Sequence, residues 1–372
     1  MFPPVERPVS PDRRFRLRGL SSGSSSPVSS QAEMKRFIEK SFWGVIAVLG
    51  AATAFAGNVA SPAPLVTESK VPLGNVRGRI DHLAVDVARQ RLYVAELGND
   101  SIGVIDLKTR KLIRTLSGFR QPQGIAYDES IDMVIVANAG DGSVRFLRGE
   151  NLTPAGTIEL GDDADNVRVD PIAHQVVVGY GSGALAVIDS TTQKKIAEIP
   201  LKGHPEGFQL EPDGKRIFVN VPDAHEIAVV DRSANKQTAS WAAPDLRENF
   251  PLAVDELRQR VLVVFRHPAK LAVFAMQDGA GLAVVDACGD ADDIFVDTQR
   301  DRVYVSCGEG IVESFELQRD AYVEIGRVTT SAGARTARWI PEIDRLVLAV
   351  RAAESEPAAV WVYRPATAGT LR

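Results

Sequence analysis

Short apolar segments alternate with polar turns along the chain, and one such unit recurs at regular intervals. It consists of an apolar strand, a polar turn and a second strand rich in β-branched residues, a pattern that predicts a β-hairpin. The unit occurs seven times, at residues 81–95, 123–137, 165–179, 206–220, 250–264, 292–306 and 335–349. In six copies the first strand ends in an acid, and these acids are 42, 42, 41, 44 and 42 residues apart: Asp86, Asp128, Asp170, Glu211, Asp255 and Asp297.

Two further strand-like segments follow the hairpins, such as "SIGVIDLKT" and "KLIRTLSG" after the first. Four short strands in about 40 residues are typical of a propeller blade. Seven units therefore predict an all-β, seven-bladed β-propeller of four-stranded blades. The seventh unit lacks its fourth strand, but "SKVPLG" at 69–74 is similar to the fourth strand "AEIPLKG" at 197–203. We expect the N-terminal strand in 65–74 to complete the last blade, because ring closure removes open sheet edges.

The N-terminal segment differs in composition from the repeats. Residues 1–33 are rich in Pro, Ser and Arg, which predicts a disordered extension, with translation expected to start at Met34. Residues 34–56 have a basic start, a 14-residue apolar run and a small-residue cleavage site, as in a secretory signal peptide. The predicted mature protein is a single propeller over 57–365 with a tail at 366–372. We expect it in the periplasm without a membrane span.

The charge balance limits the partners that the mature protein can bind. Residues 1–56 carry 8 Lys/Arg and 4 Asp/Glu, so the remaining 35 basic and 44 acidic residues give a net charge of −9. Nucleic-acid partners are disfavoured, because phosphate binding depends on Lys and Arg. We expect a monomer that binds a small molecule or a periplasmic protein.

The first repeat, "RLYVAELGNDSIGVIDLKTRKLIRTL", resembles the YVTN repeat, and residues 65–365 resemble the YncE-like seven-bladed periplasmic propellers. The resemblance implies the fold and the exported location. It implies little about chemistry, since propellers carry many unrelated functions.

Cys288 and Cys307 are the only two cysteines, and they flank the hairpin of the sixth repeat. If Asp297 pairs with Arg302, the register places Asp292 opposite Cys307, with Cys288 near enough to reach it. In an oxidising compartment this favours a disulfide over two reduced thiols. A catalytic redox pair is not expected, because the chain has no C-x-x-C motif.

The loops that enter the innermost strands of a propeller converge on one mouth of its central channel. The sequence places ten candidate ligand-binding residues at this mouth: Asp81, His82, Asp165, Asn166, His204, Glu206, Asn249, Asp292, Asp293 and Arg335. In one interpretation the carboxylates hold Ca²⁺ or another divalent cation, or a cationic or polyhydroxylated ligand. Arg335, Arg266 and the histidines would then orient an anionic group of that ligand. In the other interpretation each Asp caps a tight turn.

The sequence contains no H-E-x-x-H motif, nucleophile elbow or phosphate-binding loop. We therefore expect a binding module rather than an enzyme, with no evident cofactor beyond a possible cation. One alternative is a metal-assisted hydrolase of lactonase type, with Asp165, Glu206 and Asp292 as metal ligands. Another is an accessory subunit of a periplasmic redox enzyme.

Overall fold

The structure of the protein is a computed structural model that describes residues 63–354 and 356–366. The predicted extension at 1–33, the predicted signal peptide at 34–56 and the tail beyond residue 366 lie outside these residues. Three short 3-10 helices occur in the described ranges: Leu97–Asn99, Pro222–Ala224 and Pro341–Ile343. None of the helices in these ranges has the length and apolar character needed to cross a bilayer.

The described residues form seven antiparallel sheets of four strands each, which confirms the predicted seven-bladed propeller. In chain order the strands are β1 (Leu65–Pro72); in blade 1, β2 (Leu83–Asp86), β3 (Arg91–Glu96), β4 (Ser101–Asp106) and β5 (Lys111–Ser117); in blade 2, β6 (Pro122–Asp128), β7 (Met133–Asn138), β8 (Ser143–Arg148) and β9 (Pro154–Glu159); in blade 3, β10 (Ala164–Asp170), β11 (Gln175–Tyr180), β12 (Ala184–Asp189) and β13 (Lys194–Pro200); in blade 4, β14 (Phe208–Leu210), β15 (Arg216–Val221), β16 (Glu226–Asp231) and β17 (Lys236–Trp241). They continue with blade 5, β18 (Arg247–Asp255), β19 (Arg260–His267), β20 (Ala269–Ala275) and β21 (Gly281–Asp286); blade 6, β22 (Ala291–Asp297), β23 (Arg302–Cys307), β24 (Ile311–Gln318) and β25 (Ala321–Thr329); and blade 7, β26 (Ala337–Ile340), β27 (Arg345–Val350) and β28 (Ala359–Pro365).

Blade 7 is completed by β1, as the sequence predicts. The sheet order is β1-β28-β27-β26, and β1 runs antiparallel to β28 from Leu65 opposite Pro365 to Pro72 opposite Ala359. The side chains of Leu65 and Val71 are each 1% exposed. The two ends of the propeller are thus joined by backbone hydrogen bonds and by apolar contacts within one sheet.

The hydrophobic core lies between neighbouring blades rather than at one centre. One cluster joins Val144 and Phe146 of blade 2 to Val176 and Val178 of blade 3. The middle strands pack on both faces, so β3, β7 and β11 are buried along almost their whole length. This explains their continuous runs of apolar and β-branched residues. The outer strand β5 is mostly exposed, and only Leu112 and Leu116 are partly buried.

The repeated acids at the ends of the first strands stabilise hairpin turns. Each of five accepts a hydrogen bond from a backbone N–H in its own turn: Asp86, Asp128, Asp170, Asp255 and Asp297. In three blades an Arg three residues later pairs with this acid and with an Asp of the next blade. Arg89 illustrates the arrangement, since its guanidinium lies 2.8 Å from both Asp86 and Asp132. These arginines therefore join neighbouring blades as well as stabilising turns.

The first strands begin irregularly at the channel mouth. In blades 2, 3, 5 and 6 the pairing register shifts there, between Pro122 and Ile125, Ala164 and Val167, Asn249 and Leu252, and Ala291 and Asp293. The predicted register of blade 6 is therefore wrong at one point. Asp297 does pair with Arg302, but Ala291 lies opposite Cys307, because Asp292 is an extra residue in a β-bulge.

Candidate functional site

The first strands of all seven blades enclose a channel with a cavity of about 970 Å³. Seven of the ten predicted site residues line it: Asp81, His82, Asp165, Asn166, Glu206, Asp292 and Asp293. Three of them, Asp165, Asn166 and Asp292, lie in the bulges described above. Bulges redirect side chains out of the regular alternation of a strand, so the strand starts hold polar groups at the channel without breaking the apolar packing between blades.

Asp81 and His82 form the blade 1 part of the mouth. Arg79 Nη2 lies 2.8 Å from Asp81 Oδ2, and His82 Nε2 lies 3.7 Å from Asp81 Oδ1. Burial raises the pKa of Asp81. Burial alone would lower the pKa of His82, but the charge of Asp81 and of three other carboxylates outweighs it and raises that pKa. Asp81 and His82 therefore place a negative and a positive group side by side at the mouth.

His204 lies in the loop between β13 of blade 3 and β14 of blade 4, beside Asp165. Its Nδ1 is 2.6 Å from the carbonyl oxygen of Gly181, to which it donates, and its Nε2 is 3.7 Å from Asp165 Oδ2. Burial would lower the pKa of His204, but these contacts outweigh it and raise the pKa to about 9. His204 is thus a cation at neutral pH, and it compensates the charge of Asp165.

Two arginines neutralise Asp292 in blade 6. Arg266 Nη2 lies 2.7 Å from Asp292 Oδ1, and Arg335 Nε lies 3.2 Å from Asp292 Oδ2. Arg335 also pairs with Asp290 at 2.6 Å, and Arg266 lies over the ring of Phe250 at 3.6 Å from its centroid. Arg335 does not line the channel, and its contact with the site is its ion pair with Asp292.

Glu206 and Asp293 differ from the other carboxylates of the channel. Neither forms an ion pair within residues 63–354 and 356–366. Asp293 accepts one hydrogen bond, from the backbone N–H of Ala337 at 2.8 Å. Burial is the main cause that raises the pKa of each to about 7. Near neutral pH both acids are divided between charged and neutral forms.

The two predicted amides have different environments. Asn166 is 3% exposed and lines the channel, and no hydrogen-bond donor among the described residues reaches its Oδ1. Asn249 does not line the channel. Its Nδ2 donates to Asn220 Oδ1 at 3.1 Å and to the Glu226 carbonyl oxygen at 2.9 Å, so it joins blades 4 and 5.

The turn-cap interpretation does not describe the mouth carboxylates. Asp81, Asp165 and Asp292 accept no backbone N–H among the described residues, and each instead lies near a cationic side chain. The same part of the chain contains no group of three or more His, Cys, Asp or Glu residues placed to hold a metal ion. Of the three suggested metal ligands, Asp165 and Asp292 each lie within 4 Å of a cationic side chain, and Glu206 does not.

Sequence analysis missed two arginines that lie inside the channel, Arg168 in β10 and Arg338 in β26. Both occupy the fourth position of the repeat, which other blades fill with smaller or uncharged residues: Ala84, Ala126, Gln209, Ala253 and Phe295. Two arginines at a position otherwise uncharged are a signal that alignment of the seven repeats contains. The first two positions of the repeat, which hold most of the predicted mouth residues, do not contain this signal.

A disulfide joins Cys288 and Cys307, whose Cα atoms are 6.0 Å apart, as predicted. Both residues are buried, and the Cys288 backbone N–H donates to Glu313 Oε2 at 2.7 Å. The bridge links the segment before β22, which includes Asp290, to the end of β23. It therefore fixes the loop from which Asp290 and Asp292 reach Arg335.

The fold and the channel define a closed seven-bladed β-propeller with a charged central cavity. No protein-family model matches the chain, and no curated protein matches it. Solved structures with a similar fold include Kuenenia stuttgartiensis hydrazine synthase, with a TM-score of 0.67 and 16% identity over 81% of this chain and 97% of that one. Another is the WD40 repeats of RRP9, with a TM-score of 0.68 and 10% identity over 82% and 99%. Identities this low support the fold alone.

Proposed function

We propose that this protein is an exported, YncE-like propeller that binds a small molecule in its central channel. The observation that carries the proposal is the cavity of about 970 Å³, whose lining brings together the carboxylates of Asp81, Asp165, Glu206 and Asp292 with the amide of Asn166. A concave cavity with a few convergent polar groups is the usual form of a ligand site.

A thermal-shift screen of the purified protein tests this function. The panel contains sugars, amino acids, carboxylates, amines, CaCl₂ and EDTA, and each compound is also tested on Asn166→Leu, which is similar in size and lacks the oxygen. We expect at least one class of compound to raise the Tm of the wild type but not that of the variant. The apo variant should unfold no earlier than the wild type, because its lost oxygen has no partner to lose. Equal shifts in both proteins, or none in either, would contradict the proposal.

The two alternative functions give different results. A lactonase-type hydrolase would release acid from a lactone, and EDTA would abolish the reaction. An accessory subunit would co-purify with a haem or quinone protein. A binding module would do neither, and its only response would be ligand-dependent stabilisation.

Export is tested separately from ligand binding. Mass spectrometry of the protein expressed from Met34 should give a mature N-terminus near Gly57 in the periplasmic fraction. A full-length precursor confined to the cytoplasm would contradict the proposed location and leave the channel proposal unaffected.

A further inference from the structure

The channel contains charged side chains of both signs that form no ion pair within 4 Å in the described part of the chain, although the charge of Asp293, from a longer distance, opposes the lowering of the pKa of both arginines by burial. Glu206 and Asp293 are carboxylates without an ion pair, and Arg168 and Arg338 are guanidiniums that pair with no carboxylate of the described chain. All four line the same cavity, and they come from four different blades. Glu206, Asp293 and Arg168 are half-buried, and Arg338 is exposed. Charges held partly away from bulk water are normally paired, because desolvation is costly.

The two arginines are close enough to repel each other. Burial first and the charge of Arg338 second lower the pKa of Arg168 to about 10. Arg168 Nη1 donates to the Val167 carbonyl oxygen at 2.9 Å, and its guanidinium lies 5.2 Å from the ring centroid of Phe208. These contacts satisfy one N–H and leave the others for a ligand. Two guanidiniums with unused donors favour a carboxylate, which such forks bind with two hydrogen bonds.

Glu206 offers the opposite charge at the mouth. The groups that act on it are Asp165 and Asp292, which raise its pKa, and His204 and Arg266, which lower it. His204 and Arg266 are already engaged with Asp165 and Asp292 respectively. A cationic group that enters the mouth therefore finds Glu206 as the carboxylate without a partner.

We propose that the channel binds a small zwitterion, with its anionic group held by Arg168 and Arg338 and its cationic group held by Glu206. This inference rests on the proposed ligand-binding function and names the class of ligand. A simple anion would leave Glu206 without an ion pair, and a simple amine would leave both arginines without one. A ligand with both charges neutralises the two sets at once.

Binding of the cationic group is coupled to proton release. The pKa of Glu206 is raised to about 7, so a fraction of the carboxyl is protonated at neutral pH. A cation beside it favours the charged form and expels that proton. Affinity for the zwitterion should therefore increase as the pH rises from about 6 to about 8.

Isothermal titration with ω-amino acids of increasing spacer tests the proposal, using glycine, β-alanine, γ-aminobutyrate and ε-aminocaproate. The corresponding carboxylates and alkylamines, each with one charge, are the reference probes. One spacer should bind at least about tenfold more tightly than either reference, since each lost charge pair is worth about a factor of ten or more. Titration in two buffers of different ionisation enthalpy should show proton release that disappears in Glu206→Gln.

Three variants assign the groups. Arg168→Gln and Arg338→Gln should reduce zwitterion binding to the level of the amine, and Glu206→Gln to the level of the carboxylate. The arginine variants should remain folded, because each removes a repulsion between two like charges. Arg148→Gln and Glu159→Gln are matched controls, since both residues are exposed and neither lines the channel. Both controls should bind the zwitterion as the wild type does.

The outcomes separate this inference from the proposed function. If a carboxylate binds as tightly as every zwitterion and Glu206→Gln has no effect, the site binds anions only and the inference is wrong. If only an uncharged compound stabilises the wild type but not Asn166→Leu, the channel binds ligands but the inference is again wrong. If no compound of either panel binds, the proposed function fails together with it.

Discussion

Acidic residues at the two ends of the first strands have opposite electrostatic environments. At the hairpin end, burial raises the pKa of Asp170, but hydrogen bonds from the Ala173 N–H and Arg232 outweigh it and lower that pKa. At the channel end, burial and the charge of Asp165 raise the pKa of Glu206, and the charges of His204 and Arg266 lower it too little to offset them. The first arrangement stabilises the fold at neutral pH, whereas the second destabilises it. Charged groups that lower the stability of the folded state are typical of ligand-binding sites.

The stability of the protein should depend on pH through Glu206. Its pKa is raised from 4.5 to about 7 on folding, so the folded state binds the proton more tightly than the unfolded state does. This contribution is present below about pH 4.5, decreases as the pH rises and is lost above about pH 7. Glu206→Gln should therefore raise the Tm at about pH 8, by about 2–4 °C for each kcal/mol recovered, and leave it unchanged at about pH 4.

Thermal unfolding monitored by circular dichroism at several pH values measures this difference. Glu159→Gln is the control, since Glu159 is exposed on β9 and should show no difference at any pH. Curves for Glu206→Gln and the wild type that remain parallel from acid to alkaline pH would contradict the interpretation.

The starts of the first strands contain the bulges and charge pairs that the sequence pattern could not predict. The recurring apolar segments predict every hairpin and the four strands of a blade, because the packing between blades imposes them. They do not predict the bulges, since Asp292 and Asp293 read as ordinary consecutive strand positions. A one-residue insertion changes which side chain faces the channel. The charge pairing also escaped prediction, because partners such as His204 and Asp165 are 39 residues apart.

The contact between Arg89 and Asp132 joins blades 1 and 2 and should contribute to stability. Arg89 Nη1 and Nη2 lie 2.8 and 2.9 Å from the two carboxylate oxygens of Asp132, and Nη1 also lies 2.8 Å from Asp86 Oδ2. A double-mutant cycle of Arg89→Gln and Asp132→Asn should give a coupling energy of about 0.5–1 kcal/mol. Asn is suitable at 132 because that residue has a φ of 51°.

Urea unfolding of the four proteins in the cycle gives the coupling energy. Arg148→Gln, on the exposed end of β8, should show none with Asp132→Asn. Additive effects of Arg89→Gln and Asp132→Asn would mean that the contact between the blades contributes nothing.

The disulfide in blade 6 should stabilise the propeller by closing the loop between Cys288 and Cys307. The two residues are separated by 19 positions, and a loop of this size corresponds to about 3 kcal/mol in the chain-entropy model. The double variant Cys288→Ala, Cys307→Ala should lose up to about that amount in urea unfolding. A reducing agent should lower the stability of the wild type similarly and leave the variant unchanged. Two free thiols in the purified wild type would show that the bridge does not form.

At the scale of the whole molecule, the repeat determines the fold and the departures from it form the site. Seven copies of one pattern predict seven blades, because every copy must pack against two neighbours to bury its apolar strands. A ligand imposes no such repetition. Arg168, Asp293 and Arg338 each occur at a repeat position where most other blades carry an uncharged residue, whereas Glu206 occupies a position that is acidic in three other blades. The architecture was therefore predictable from one sequence, whereas the proposed ligand class is inferred from the cavity lining.

Because β1 closes the ring, it should contribute far more to the stability of the protein than the residues that precede it. Leu65 and Val71 are buried, and β1 supplies the whole outer edge of blade 7. A truncation that begins at residue 75 removes this strand, whereas one that begins at residue 57 retains it. We expect the shorter protein to lose several kcal/mol and to aggregate, because its β28 presents an unpaired edge. The longer one should unfold like the full-length protein in the same urea titration. Addition of a synthetic peptide covering residues 63–74 should partly restore the Tm of the shorter protein, since a strand supplied separately can occupy the same edge. Equal stability of the two truncations would show that the ring does not depend on this strand.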